Sequence, residues 1–287
     1  MPELVFADAT STWEESDFAI FGVPFDKTSS FRAGSAEAPD AIREASHNFE
    51  TFMPNHGEDI EHVRYCDLGN LDEYENADQM VREVEDFATG VIENGKFPIA
   101  LGGEHSITPA IVKGFDDFCV ITLDAHLDFR EEYEGEKNSH ACSTRRIADV
   151  VGVDKVIPIG VRSMSRQEQQ DAQELGLRYI TSIECTKQRK MFTAIDRALN
   201  LMGIERARVY LSLDMDVIDP AYAPGISNPE PFGLEPIEIL RGIDMLADNL
   251  VGFDIVEVSP PYDNGNTSAL AARLVREVIM AVWKAHI

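Results

Sequence analysis

The sequence predicts a three-layer α/β/α sandwich around a central, mostly parallel sheet of eight strands. Three observations carry this. Short apolar runs alternate with amphipathic helical stretches along the chain. Most of the runs lack polar alternation, as strands buried on both faces of a parallel sheet require. Gly- or Asp-rich turns separate each run from the next helix, with no fixed-period repeat, low-complexity tract or linker between them. Residues 1–287 therefore read as a single domain.

In chain order the expected strands are Asp17–Val23, Val63–Asp67, Phe97–Leu101, Phe118–Leu123, Lys155–Gly160, Leu177–Ile180, Arg208–Leu213 and Gly252–Val258. Among the helices, Asp78–Glu93 places Val81, Val84, Phe87, Ala88 and Val91 on one face. The last helix is expected to start at a capping Thr267. It carries a stripe of Leu270, Ala271, Leu274, Val275, Val278, Ile279 and Val282.

Composition narrows the function. The chain is 44% hydrophobic, enough for a sizeable core, and its net charge is −26. Such a surface repels nucleic-acid phosphates and anionic lipids, so neither is an expected partner, whereas cations are. With 8 Lys against 17 Arg, the acid excess suits high intracellular salt. Met1-Pro2-Glu3-Leu4 lacks the basic and apolar regions of a signal peptide, and no apolar run is long enough to span a membrane. Cys66, Cys119, Cys142 and Cys185 stand singly, as reduced thiols do, so a cytoplasmic location is expected.

Ligands of such sheets gather at the carboxyl ends of the strands. There Phe118–Leu123 runs into Asp124-Ala-His126-Leu-Asp128, and Val209–Leu213 into Asp214-Met-Asp216. Phe97–Leu101 runs into Gly102-Gly-Glu-His105, and Glu257 interrupts an apolar run. Spacing of two would put Asp124, His126 and Asp128 on one side of an extended segment. A single Asp-x-His-x-Asp is as consistent with a hydrogen-bonded turn as with a site. A second strand ending in Asp-x-Asp shifts the balance, because so many carboxylates at one edge repel one another unless cations join them. Oxygen and nitrogen donors without a thiolate favour Mn, Mg, Co or Ni over structural zinc.

Taken together, Gly102-Gly-Glu-His-Ser-Ile-Thr108, Asp124-Ala-His-Leu-Asp128, Ser139-His140, Ser212-Leu-Asp-Met-Asp-Val-Ile-Asp-Pro220, Ala223-Pro-Gly225 and Asp254-Ile-Val-Glu-Val-Ser-Pro260 resemble the ureohydrolases of the arginase/agmatinase family, most of all archaeal agmatinases. The resemblance implies the arginase-like fold and two Mn²⁺ per subunit held by His105, Asp124, His126, Asp128, Asp214 and Asp216. It assigns His105, Asp128, Asp214 and Asp216 to one ion and Asp124, His126, Asp128 and Asp214 to the other, with Asp128 and Asp214 bridging. His140 matches a histidine that lies beside the metals without binding them, and Glu257 the acid that bonds the substrate guanidinium; His140, expected to titrate near neutrality, would relay a proton to the leaving amine. The implied reaction is attack of a metal-bridging hydroxide on the guanidinium of agmatine, releasing putrescine and urea for polyamine biosynthesis. The implied assembly is a homo-oligomer, a trimer or hexamer. Four ligand aspartates and a hydroxide around two divalent ions would leave a small negative charge, suited to a permanently protonated guanidinium.

The tail of the guanidine is harder to read. Gly160-Val-Arg162-Ser-Met-Ser165 offers Ser163 and Ser165 where arginases carry acids for the α-amino group. Glu131, Glu132, Glu134 and Glu136 would attract a distal ammonium, or else merely extend the acidic surface. N1-aminopropylagmatine, arginine and guanidinobutyrate remain alternative substrates, and a single-zinc deacetylase of the same fold is the alternative from another class. Glu104 reads either as support for His105 or as a solvated turn, Cys142 as a reactive or a buried thiol, and Asp219 as a turn stabiliser. The proline-rich 220–236 stretch is either a pocket wall or a brace, and Ser227 stands where the family has a second glycine.

Overall fold

A computed structural model describes residues 4–187, 191–202 and 208–286, so the Met1–Glu3 stretch just considered lies outside the described residues. Eight strands form one sheet: β1 (Phe18–Val23), β2 (Tyr65–Asn70), β3 (Phe97–Gly102), β4 (Cys119–Leu123), β5 (Val156–Val161), β6 (Ile180–Thr181), β7 (Val209–Asp214) and β8 (Leu250–Val256). Their spatial order is β2-β1-β3-β8-β7-β4-β5-β6, and every neighbouring pair is parallel.

Helices cover both faces because both carry apolar rows. Ile20, Ile99, Phe253, Leu211, Ile121 and Ile157 are in register across six strands. They are fully buried in one core together with Ile42 of α1 (Ala38–Ser46), Ile243 of α6 (Pro236–Leu246) and Val275 of α7 (Asn266–Ala285). Burying a side chain of this size contributes about 1.5–3 kcal/mol. Phe21 and Ala100, one position on, face the other core with Met80 and Val84 of α2 (Ala77–Glu93), Ile111 of α3 (Thr108–Val112) and Ile147 of α4 (Ser143–Val151). That second row continues through Asp254, Ser212 and Thr122, three buried polar residues in mid-sheet.

Three expectations need correction, and one pair of strands was not expected. Leu177–Ile180 shrinks to the two-residue β6, because Gly176, at φ 80°, ends α5 (Arg166–Leu175) and the Leu177 N–H still bonds the Ala172 carbonyl. Thr267 does not cap α7. Its hydroxyl accepts from the Gly225 N–H, and the Asp263 carboxylate accepts from the Thr267 N–H. Glu257 lies just beyond β8, at φ 65°, and is not within the strand. A short antiparallel pair, Phe52–Met53 with Glu58–Asp59, had no periodic signal, since two residues cannot show alternation.

Candidate metal centre

The strands that end in polar motifs are the four central neighbours β3, β8, β7 and β4. Leu123 pairs with Leu213, and Val256 with Asp214, so Asp124 and Asp214 leave the sheet at the same level. Beyond β3 the Glu104–His105 turn enters a 3₁₀ helix, bringing a fully buried His105 to the same edge.

His105 Nδ1 lies 3.1 Å from Asp124, 3.4 Å from Asp128 and 3.4 Å from Asp214. His126 Nδ1 lies 2.7 Å from Asp216 and 3.8 Å from Asp124. Two overlapping ligand groups result: His105 with Asp124 and Asp214, and His126 with Asp124 and Asp216. These side chains group differently from the expected partition. Asp216 stands with His126, carried there by the 3₁₀ turn Met215–Val217 and fixed by the Ala125 N–H at 2.9 Å. Asp128, at φ 49°, turns back toward His105 and does not continue an extended segment, so Asp124 takes the shared position. Left-handed backbone at a non-glycine residue costs about 1–2 kcal/mol, and both Asp128 and Glu257 adopt it.

The cluster is electrostatically unbalanced. Burial, reinforced by neighbouring aspartates, raises the carboxyls of Asp124 and Asp214, and raises Asp128 to about 7. Burial also opposes ionisation of Asp216, but His126 holds it down to about 2. For His105 and His126 burial disfavours the cation, yet the surrounding aspartates outweigh it and raise both imidazoles. His105 Nδ1 and Asp124 Oδ2 are buried without a hydrogen-bond partner although they face each other. Ligand atoms left unbonded in a buried ring of oxygen and nitrogen donors fit divalent cations.

Support for these ligands comes from behind. His105 Nε2 lies 3.1 Å from Ser212 Oγ, which donates to Asp254 Oδ1 at 2.6 Å, and Tyr210 donates to Asp254 Oδ2 at 2.8 Å. The polar row buried in mid-sheet thus orients the imidazole. Glu104 is fully buried and accepts from Thr28 and Ser106. Burial pushes it up to about 8.

A cavity of about 450 Å³ opens over the cluster and is lined by His126, Asp128, Asp214, Asp216, His140 and Glu257, among others. Glu257 Oε1 accepts from the His105 N–H at 2.8 Å. Burial raises it to about 7, against the neighbouring Ser227 and the His105 N–H, which favour the anion. His140 faces Thr28 Oγ1 through Nδ1 at 3.2 Å and Ser30 Oγ through Nε2 at 3.3 Å. Burial first, then His126 and His105, lower it to about 4, so the expected titration near neutrality is corrected: the imidazole is neutral.

Ser163 and Ser165 line the cavity, but Glu131, Glu132, Glu134 and Glu136 do not. Glu131 pairs with Lys137, Arg145 and Arg146. The acids of the wall are Glu168 and Glu230, which sequence reasoning missed. Ser165-x-x-Glu168 was a readable helix-cap signal, and both halves of that capping box form. The 220–236 stretch walls the cavity through Asn228, Pro229 and Glu230, with Asp219 accepting from Ala221 and Gly233 as a turn residue. Cys142 is buried, its thiol pushed up to about 12.

Comparison with known proteins gives the class that carries this parallel α/β sheet and centre, hydrolases acting on carbon–nitrogen bonds. The chain belongs to the arginase family, whose family model matches residues 16–281. It is 35% identical to the agmatinase of Bacillus anthracis over 96% of this chain and 95% of that one. It is 33% identical to the N(1)-aminopropylagmatine ureohydrolase of Thermococcus kodakarensis, over 94% and 92%. Among solved structures, the agmatine ureohydrolase of Thermoplasma volcanium superposes with a TM-score of 0.93 at 43% identity, covering 100% of this chain and 98% of that one. Among the described residues no helix is long and apolar enough to cross a membrane.

Proposed function

We propose that the protein hydrolyses agmatine to putrescine and urea, using two Mn²⁺ per subunit held by His105, Asp124, His126, Asp128, Asp214 and Asp216. The observation that carries this reading is the pair of overlapping His/Asp groups sharing Asp124, with unbonded ligand atoms beneath a cavity. Bound there, a pair of divalent ions supplies an activated water and neutralises developing negative charge. Glu257, already anchored by the His105 N–H, offers its other oxygen to the guanidinium, whose charge returns the carboxyl to its ionised form. His140, neutral between two hydroxyls, accepts at one ring nitrogen the proton that the activated water releases and passes one on to the leaving amine.

Urea release with added Mn²⁺ from agmatine, N1-aminopropylagmatine, arginine and guanidinobutyrate tests the reading. Agmatine is expected to give the highest kcat/KM, and preference for a carboxylate-bearing guanidine would reject it. A single-zinc deacetylase would bind one metal equivalent per chain, against the two expected here. The four described cysteines are unpaired, which supports a cytoplasmic setting. Assembly as a trimer or hexamer is part of the same reading and is checked by light scattering.

A further inference from the structure

We propose that Glu230 is the specificity-determining residue of the cavity, the carboxylate that receives the distal ammonium of a cationic guanidine. The inference rests on the reading of the cavity as a guanidine site and names what reads the other end of the substrate.

Of the acids lining the cavity, Asp128, Asp214 and Asp216 belong to the metal centre and Glu257 faces it. Glu168 is fully engaged: it accepts from the N–H groups of Phe129 at 3.2 Å and Ser165 at 2.8 Å and pairs with Arg130 at 3.2 Å. That pairing, with Arg130 also stacked on Tyr133, cancels the cation that would otherwise attract a carboxylate tail. Glu230 remains. Its side chain is 35% exposed and, among the described residues, forms no ion pair with Lys or Arg.

Its position suits the role. His126 presents Nδ1 to Asp216 at 2.7 Å and Nε2 to Glu230 at 3.7 Å. Glu230 thus stands one imidazole's width outward from the metal acids, along the wall a tail must pass. The separation from Nε2 exceeds a hydrogen bond, leaving the carboxylate oxygens open to another donor.

The backbone beneath it is fixed before any ligand arrives. Arg162 donates to the Glu230 carbonyl through Nε at 3.1 Å and Nη2 at 2.8 Å, to Pro231 at 3.1 Å, and to the Asp216, Gly160 and Val217 carbonyls. Asn228 donates to Ser30 Oγ at 3.1 Å. A carboxylate carried on a fixed backbone loses less freedom on binding than one on a free loop, so its charge translates into selectivity.

The test compares agmatine with butylguanidine, which keeps the four-carbon chain and lacks the ammonium. In Mn²⁺-loaded Glu230→Gln, the ratio of kcat/KM for agmatine to that for butylguanidine should fall about tenfold to a hundredfold, the scale of one hydrogen bond to a charged group. Metal content should stay at the wild-type level. Equal losses on both substrates, or loss of metal, would show that Glu230 serves His126 and overturn the proposal, as would an unchanged ratio. Equilibrium titration with 1,4-diaminobutane and butylamine gives a reading without turnover. The diamine should bind tighter to the wild type and lose that advantage in Glu230→Gln; an advantage that persists overturns the proposal. If no guanidine yields urea, the proposed reaction fails by itself and this titration still decides the role of Glu230.

Discussion

Asp124 faces both histidines of the centre: Oδ2 lies 3.1 Å from His105 Nδ1, and Oδ1 3.8 Å from His126 Nδ1. A carboxylate placed between two imidazoles serves both ligand groups, whereas Asp216 serves only that of His126. Asp124→Asn should therefore lose metal from both positions, and Asp216→Asn chiefly from one. Metal analysis after dialysis, with circular dichroism to confirm folding, checks this. Two full equivalents in Asp124→Asn would refute the shared role.

Ser212 is the link between His105 and the buried Asp254. Ser212→Ala leaves the imidazole without its orienting partner and should weaken metal affinity about 10–100-fold, the usual cost of removing such support. Competition with a calibrated chelator measures it. Unaltered affinity would mean that packing alone holds the ring.

His140 leads to a pH prediction. Its pKa is about 4 in the fold against 6.5 for the free side chain, so the unfolded chain binds more protons between those values. The neutral ring's contribution is complete above pH 6.5 and is lost as pH falls through 4, about 3 kcal/mol in all. Denaturant unfolding of the wild type and His140→Asn at pH 7 and pH 4, with chelator present, should show the wild type losing more stability by about that amount. Parallel pH dependences would contradict it.

Glu257 joins substrate and scaffold, and two substitutions separate the roles. Glu257→Gln keeps an oxygen for the His105 N–H and removes the charge, so metal content should hold while kcat/KM falls for every guanidine regardless of tail. Glu257→Ala strands the buried N–H, which costs about 1–3 kcal/mol, and should also lower the unfolding midpoint. A tail-dependent loss in Glu257→Gln would displace the guanidinium from this acid.

The sheet was readable because strands buried on both faces are apolar throughout, and the place of the His/Asp cluster because polar residues at four strand ends interrupt that pattern. The pairing of ligands was not readable. It depends on Asp128 adopting φ 49° and on the 3₁₀ turn that swings Asp216 to His126, and neither leaves a periodic trace. Glu131, Glu132, Glu134 and Glu136 drew attention by their density, yet density says nothing about direction. Glu230 went unnoticed among prolines because its placement depends on Arg162, which is 68 residues away in sequence.

Arg162 grips this wall through main-chain oxygens, and every amino acid supplies one; even Pro231 serves as an acceptor. The loop's course is thus largely decoupled from the identity of the side chains it displays. Glu230 occupies an exchangeable slot on a fixed frame, so the recognised tail can be altered there by a single codon change, whereas Asn228, bonded to Ser30, is part of the frame itself.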